Sequence, residues 1–134
     1  MIKRIEKEET WPLRHKVLWP NKGIEHIKLK DDDNGIHFGL FYEGNLISVI
    51  SLFIDQDRGQ FRKFATHHEE QGKGYGSKLL LHLIEEAKKL GVKVVWCNAR
   101  KDKCDYYKKF GLAETEKVFS KDGTQYIIME KHIR

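Results

Sequence analysis

One stretch constrains this chain more than any other: Gln71-Gly72-Lys73-Gly74-Tyr75-Gly76-Ser77. The run before it, Gln60 to Thr66, reads as a strand. After it comes an amphipathic helix from Ser77 to Leu90, apolar at 79, 80, 83, 84, 87 and 90. That spacing is close to the helical period and leaves one stripe to bury. Gly91 suits its C-terminal cap. A strand, a glycine-rich turn and a helix make an arrangement that holds anions. Glycines at alternate positions leave backbone N–H groups uncovered and free to take positive φ. The helix start adds unpaired N–H groups and the positive end of its dipole.

Two better-known anion loops do not fit. The P-loop needs four residues between its first glycine and Gly-Lys-Ser/Thr, whereas Gly72-Lys73 is followed by Gly74. The dinucleotide fingerprint needs a third glycine where Ser77 stands. The loop alone also fits a plain helix entry with spare glycines.

The remaining elements follow from pattern. Met1 to Glu6 reads as a short strand, and a helix is expected over Trp11–Leu18 with Thr10 as its N-cap and Pro12 early in it. Arg14 and His15 fall on its other faces, either solvated or lining a pocket. Ile24 to Leu29 reads as strand or helical turn. Asp31-Asp32-Asp33 reads as a solvated turn, because a calcium loop spaces its acids by one and ends in glutamate. Ile36–Tyr42 and Leu46–Phe53 form a hairpin around Glu43-Gly44-Asn45. In the strand Gln60–Thr66, Phe61 and Phe64 break simple alternation. Val92–Cys97 reads as a buried strand with Asn98 at its end, and Asp102–Phe110 as a helix stopped by Gly111. Ala113–Phe119 and Thr124–Ile133 pair around Asp122-Gly123. The strand–helix–strand unit from Phe61 to Cys97 implies a parallel pair with a right-handed crossover. The expected class is α/β (α+β), a mixed, mostly antiparallel sheet with helices on both faces, in one domain over residues 1–134.

Composition removes several alternatives. No apolar run approaches the ~20 residues of a membrane helix. Met1-Ile2-Lys3-Arg4-Ile5-Glu6 contains no apolar core of a signal peptide. Cys97 and Cys104 are too few for a disulfide framework. A cytoplasmic protein is expected. The net charge of +5 is mild, and no basic run with interleaved aromatics argues for nucleic acid. His67 and His68 are adjacent, so a strand would turn them apart, and no metal site is expected.

Two motifs on these elements carry a resemblance. Gln71, Gly74 and Gly76 satisfy Gln/Arg-x-x-Gly-x-Gly/Ala, and Tyr106-Tyr107-Lys108-Lys109-Phe110-Gly111 supplies a tyrosine four residues before a glycine. With the strands before them, they make the chain resemble the GNAT family of N-acetyltransferases over nearly its whole length. The resemblance implies a GNAT-like fold with a V-shaped splay between the fourth and fifth strands. It implies acetyl-CoA as co-substrate, with its pyrophosphate on backbone N–H groups of Gly72, Lys73, Gly74, Tyr75, Gly76 and Ser77. Gln71 would order that turn. Pantetheine would lie in the splay, paired with Phe64, Ala65 and Thr66 like an added strand. A backbone N–H near Phe64 or Ala65 would polarise the thioester carbonyl. Tyr107 would protonate the leaving thiolate, and Tyr106 would be structural.

The family often places asparagine and alanine where this chain has Arg100 and Lys103. Asn98 is a separate candidate for the pantetheine arm. The implied reaction is direct transfer of acetyl to a primary amine in a ternary complex, without a nucleophilic residue. His67, Glu69 and His15 are candidate bases. A non-catalytic acyl-CoA sensor is the alternative. The acceptor is a small-molecule or peptide amine, held in this fold near the first helix and the loop after it. No nucleic-acid or membrane partner is expected, and a homodimer is compatible with the fold.

Overall fold

The computed structural model describes residues 1–133. Its regular elements are β1 (Ile2–Ile5), α1 (Lys7–Leu18), β2 (Ile36–Tyr42), β3 (Asn45–Asp55), β4 (Arg58–Thr66), α2 (Tyr75–Lys89), β5 (Val94–Arg100), α3 (Cys104–Lys108), β6 (Ala113–Lys121) and β7 (Thr124–His132). The strands form one sheet in the order β1-β2-β3-β4-β5-β7-β6. Every neighbouring pair is antiparallel except β4 and β5. The mixed sheet and its GNAT-like topology follow the expectation from sequence.

Helices cover both faces. The apolar stripe of α2 (Leu79, Leu80, Leu83, Ile84, Ala87) is fully buried against Phe38, Ile50, Leu52 and Phe61. Burying one such side chain contributes roughly 1.5–3 kcal/mol, so this face dominates the core. On the other face Leu13 of α1 packs on Val49 and Ala65. Two hairpins close on turns whose central residues both have positive φ, Glu43-Gly44 (50° and 81°) and Asp122-Gly123 (51° and 79°). Such turns match the twist of the strands they join.

Several boundaries differ from the sequence expectation. α1 begins at Lys7 rather than Trp11. Glu6 is its N-cap, and the Glu9 carboxylate accepts the Glu6 backbone N–H at 2.7 Å. Thr10 is therefore not the cap but a buried helical residue, its hydroxyl donating to the Lys7 carbonyl at 2.6 Å. Pro12 sits inside the helix rather than in its first turn. Residues Ile24–Ile27 and Lys30–Asn34 form short 3-10 helices. β5 starts two residues late and runs on to Arg100, so Asn98 and Cys97 lie within it instead of at its end. The second expected helix shrinks to Cys104–Lys108 behind a 3-10 turn.

The largest correction concerns Arg14 and Asp32. Neither is solvated, and Arg14 is 0% exposed. Arg14 donates to Asp32 from both terminal nitrogens, to the Ile27 carbonyl and to the Ser51 hydroxyl. Asp32 also accepts from Trp11 Nε1 and from the Leu29 backbone N–H. Burial pushes the Asp32 carboxyl up, but the hydrogen bonds from Arg14, Leu29 and Trp11 outweigh it and hold it below its ordinary value. His37 completes the network, bridging the Ser51 hydroxyl and the Asp32 carbonyl. Asp32 is thus the lock that fastens the segment after α1 onto the sheet, while Asp31 and Asp33 on either side stay exposed.

Candidate active site

The site begins where a strand pair fails. β4 and β5 pair only at Arg58–Val94, Gly59–Val95 and Gln60–Trp96. Beyond that, residues 61–66 of β4 and 97–100 of β5 continue without pairing to each other. Each keeps its outer partner, β3 or β7. A V-shaped gap is left, edged by backbone groups that no strand satisfies.

β4 also carries a bulge. Val49 pairs with Ala65 and Ser51 with Arg62, so Lys63 and Phe64 together stand opposite Ile50. Lys63 takes φ of 55° there. The extra residue explains the broken alternation: Phe61 and Phe64 both pack toward the α2 side, while Ala65 is buried on the α1 side. Bulges bend a strand and re-aim its side chains.

The glycine loop lies against the α2 side of this gap. Gly72 and Gly74 have φ of 79° and 87°, and a Cβ at either would meet nothing within 4 Å. Gly76 does not share their positive φ. It is already in α2, and a Cβ there would come within 3.1 Å of Phe64 Cζ and 3.3 Å of Thr66 Oγ1. Two glycines shape the turn, and the third lets the helix approach β4. The α2 N-terminus has no side-chain cap and no acid in its first turn. Its leading N–H groups face outward with the positive end of the helix dipole.

Most of the predicted residues converge. The Gln71 amide donates to the Thr66 carbonyl at 2.9 Å and ties the loop to the end of β4. Ser77 and Tyr106 share a hydrogen bond of 3.0 Å, which docks α3 onto the start of α2. Tyr106 is therefore structural, yet it supports the loop directly, a link that sequence spacing does not show. Lys73 is half-exposed and pairs with Glu70 at 3.2 Å. Tyr107 packs on Phe61 with ring centroids 5.6 Å apart, one residue beyond the last β4–β5 pair. Its hydroxyl has no hydrogen-bond partner among the described residues. Burial, then the neighbouring Cys97 and Tyr106, push its phenol well above the ordinary value, and Arg100 offsets only part of that.

Asn98 does not join this group. Cys97 and Ala99 point into the α2-side core, so Asn98 is turned to the opposite face, where it is exposed. Cys97 is buried, and burial pushes its thiol up to about 12, leaving no thiolate for nucleophilic chemistry. The candidate bases are partly occupied. His67 has Lys16 Nζ at 2.9 Å from Nε2 and the Glu69 backbone N–H at 3.3 Å from Nδ1. A neutral ring can accept from only one of the two. His15 Nε2 lies 2.6 Å from the Lys22 carbonyl, to which it donates. Among the described residues no group of three His, Cys, Asp or Glu side chains is arranged to hold a metal, and no helix is long and apolar enough to cross a membrane.

A splayed parallel pair, a bulged fourth strand and an uncapped glycine-led helix together define an acyltransferase architecture. The sequence matches the profile of the Acetyltransferase (GNAT) family over residues 2–112, and the chain belongs to that family. It is 34% identical to the uncharacterized N-acetyltransferase YitI of Bacillus subtilis (strain 168), over 99% of this chain and 96% of that one. A protein assigned as an N-acetyltransferase from Lactobacillus plantarum shares the fold with a TM-score of 0.87, at 21% identity over 99% of each chain. A GNAT family acetyltransferase from Elizabethkingia anophelis with acetyl-CoA bound superposes with a TM-score of 0.77, at 17% identity over 99% of this chain and 97% of that one.

Proposed function

We propose that the protein transfers acetyl from acetyl-CoA directly to a primary amine within a ternary complex. The observation that carries this reading is the junction of an uncapped α2 N-terminus with the unpaired end of β4. The backbone N–H groups of residues 72–77 suit a pyrophosphate, because the glycines leave them uncovered and no acid competes. The open edge of Phe64, Ala65 and Thr66 offers strand-like hydrogen bonds to the amide-bearing pantetheine arm. A backbone N–H of Phe64 or Ala65, beside the bulge at Lys63, would polarise a thioester carbonyl. Acetyl-CoA supplies the activated acyl carbon. The amine forms the C–N bond as the C–S bond breaks, and no protein nucleophile intervenes.

Tyr107 is the proposed donor to the departing sulfur. Its raised pKa sharpens that role. A phenol less acidic than a thiol near 8.5 does not give up its proton completely to a thiolate. Tyr107 therefore stays protonated and stabilises the sulfur as a hydrogen-bond donor, with solvent completing the transfer. Asn98 is exposed on the face of β5 opposite the loop side, so it would border a pantetheine arm only from that face. The amine's proton leaves through water or to His15, whose Nδ1 keeps its lone pair while Nε2 donates to the Lys22 carbonyl.

Calorimetric titration with acetyl-CoA, followed by thiol release with a panel of amines, tests the reading. Micromolar binding with amine-dependent thiol release is expected. No CoA binding overturns it. Binding without turnover on any amine favours an acyl-CoA sensor. A ping-pong pattern refutes direct transfer.

A further inference from the structure

Lys63 is poorly placed for an ordinary lysine. It occupies the β4 bulge with a left-handed backbone, φ 55°, that L-residues take only at a cost. Its side chain is half-buried and reaches to 5.9 Å from the Trp19 ring centroid, at the C-terminal end of α1. No carboxylate pairs with it among the described residues. Its charged surroundings are mostly of its own sign: Arg62, Arg14 and, from the far end of β6, Lys121. The opposing charge is Asp32, already held two-pronged by Arg14. Burial first, then these cations, hold the Lys63 ammonium below its ordinary value. Lys121 has no ion-pair partner among the described residues, and Lys16 reaches only His67.

This cluster lies on the α1 side of the gap, opposite the glycine loop. Lys63 of β4 and Trp19 at the end of α1 meet here, and the exposed Lys121 adds its charge to the field at Lys63. A half-buried cation without a counter-ion is incomplete by electrostatic reasoning, and an anion placed there gains from the cations around it, because the neighbouring carboxylates Asp31 and Asp32 are already paired with Arg62 and Arg14. A polycation placed there meets more repulsion than attraction.

Resting on the acetyltransferase reading above, we propose that Lys63 binds an anionic group of the acceptor. The acceptor is then a small amine that also carries a carboxylate or phosphate. Polyamines and aminoglycosides are disfavoured. The same field serves the reaction in a second way. Only an uncharged amine attacks the acyl carbon, and like charges near an ammonium favour its deprotonated form. Anchoring the acid end also holds the amine in one orientation, which removes part of the entropic barrier.

The test uses matched acceptors with the full-length protein: β-alanine against β-alaninamide, phosphoethanolamine against ethanolamine, and spermidine. Acetyl-CoA affinity is measured first by calorimetry, and its absence would overturn the enzyme reading itself. Given CoA binding, the acid member of at least one pair should show kcat/KM higher by about tenfold or more, the scale of one charge-assisted hydrogen bond. The carboxylate and phosphate pairs separate the two kinds of anion. Lys63→Met should abolish the preference mainly through KM, with CoA affinity unchanged, and Lys63→Arg should retain it. Equal or better turnover of the amide, ethanolamine or spermidine overturns the proposal while leaving the enzyme reading intact. If CoA binds and no amine turns over, calorimetry of each pair on the CoA-loaded protein decides: equal affinities, or no binding of either acid, overturn it.

Discussion

Arg14 and Asp32 meet through two hydrogen bonds, Nη1 to Oδ2 at 2.8 Å and Nη2 to Oδ1 at 3.1 Å, with both side chains sealed from water. This pair joins α1 to the segment that follows it, and Ser51 brings in the sheet. Removing one partner leaves the other charge buried. Asp32→Ala is expected to cost about 3–5 kcal/mol in denaturant unfolding. A loss below about 1 kcal/mol would mean that the site relaxes and admits water.

The same pair sets a pH dependence. The Asp32 carboxyl is held below its ordinary 3.8 in the folded state. Its contribution is therefore complete above that value and is lost as pH falls through the lower folded pKa. The stability gap between wild type and Asp32→Asn should be constant near neutrality and narrow in acid. A gap that widens on acidification would reverse the sign assigned here.

Gly74 and Gly76 are needed for different reasons, and the difference is measurable. Gly74→Ala strains the backbone at φ 87° by about 1–2 kcal/mol, with no neighbour to move. Gly76→Ala instead presses on the Phe64 ring. Trimming that ring with Phe64→Leu should recover part of the Gly76→Ala loss in thermal stability. It should recover none of the Gly74→Ala loss, because that strain is local. Equal rescue of both would show that the close approach at Gly76 is unimportant.

Tyr107→Phe should lower turnover by roughly ten- to a hundredfold, the scale of one hydrogen bond to a charged group, with little change in CoA affinity. Because the phenol is pushed far up, wild-type activity should show no alkaline fall between pH 7 and 9.5 that the variant lacks. Turnover equal to wild type would remove Tyr107 from the chemistry.

Tyr106→Phe deletes the hydrogen bond to Ser77 at 3.0 Å. Expected is a stability loss of about 0.5–1.5 kcal/mol and a modest weakening of CoA binding, since the start of α2 is held less firmly. Full CoA affinity would show that α2 holds its own N-terminus.

Local chemistry was readable from the sequence, and long-range pairing was not. The α2 stripe, the two glycine hairpins and the loop are written in periods and residue types, so their elements were found. The start of α1 is not legible in the sequence because Glu6 caps it through Glu9, while Thr10 and Pro12 mimic a start four residues later. Arg14 and Asp32 are 18 residues apart, and no periodicity marks their contact. The bulge did leave a trace. Phe61 and Phe64, three apart in a strand, cannot share a face without an extra residue between them. Lys63 is the residue that supplies it. Asn98 lies inside β5 because the apolar run that marks the strand in the sequence stops at Cys97, while pairing with β7 continues to Arg100.

The gap between β4 and β5 has a consequence for the protein before any ligand arrives. An open strand edge is a template for foreign strands, and proteins normally confine such edges to the rim of a sheet, where charge or a covering element blunts them. Here two edges lie in the middle of the sheet, within one molecule, too far apart to satisfy each other. In the proposed reading, an arm paired with Phe64, Ala65 and Thr66 would stand in for the missing strand and cover the β4 edge. Solubility on long storage and resistance to strand-mediated aggregation should therefore rise with acetyl-CoA occupancy, beyond what its effect on unfolding alone would give.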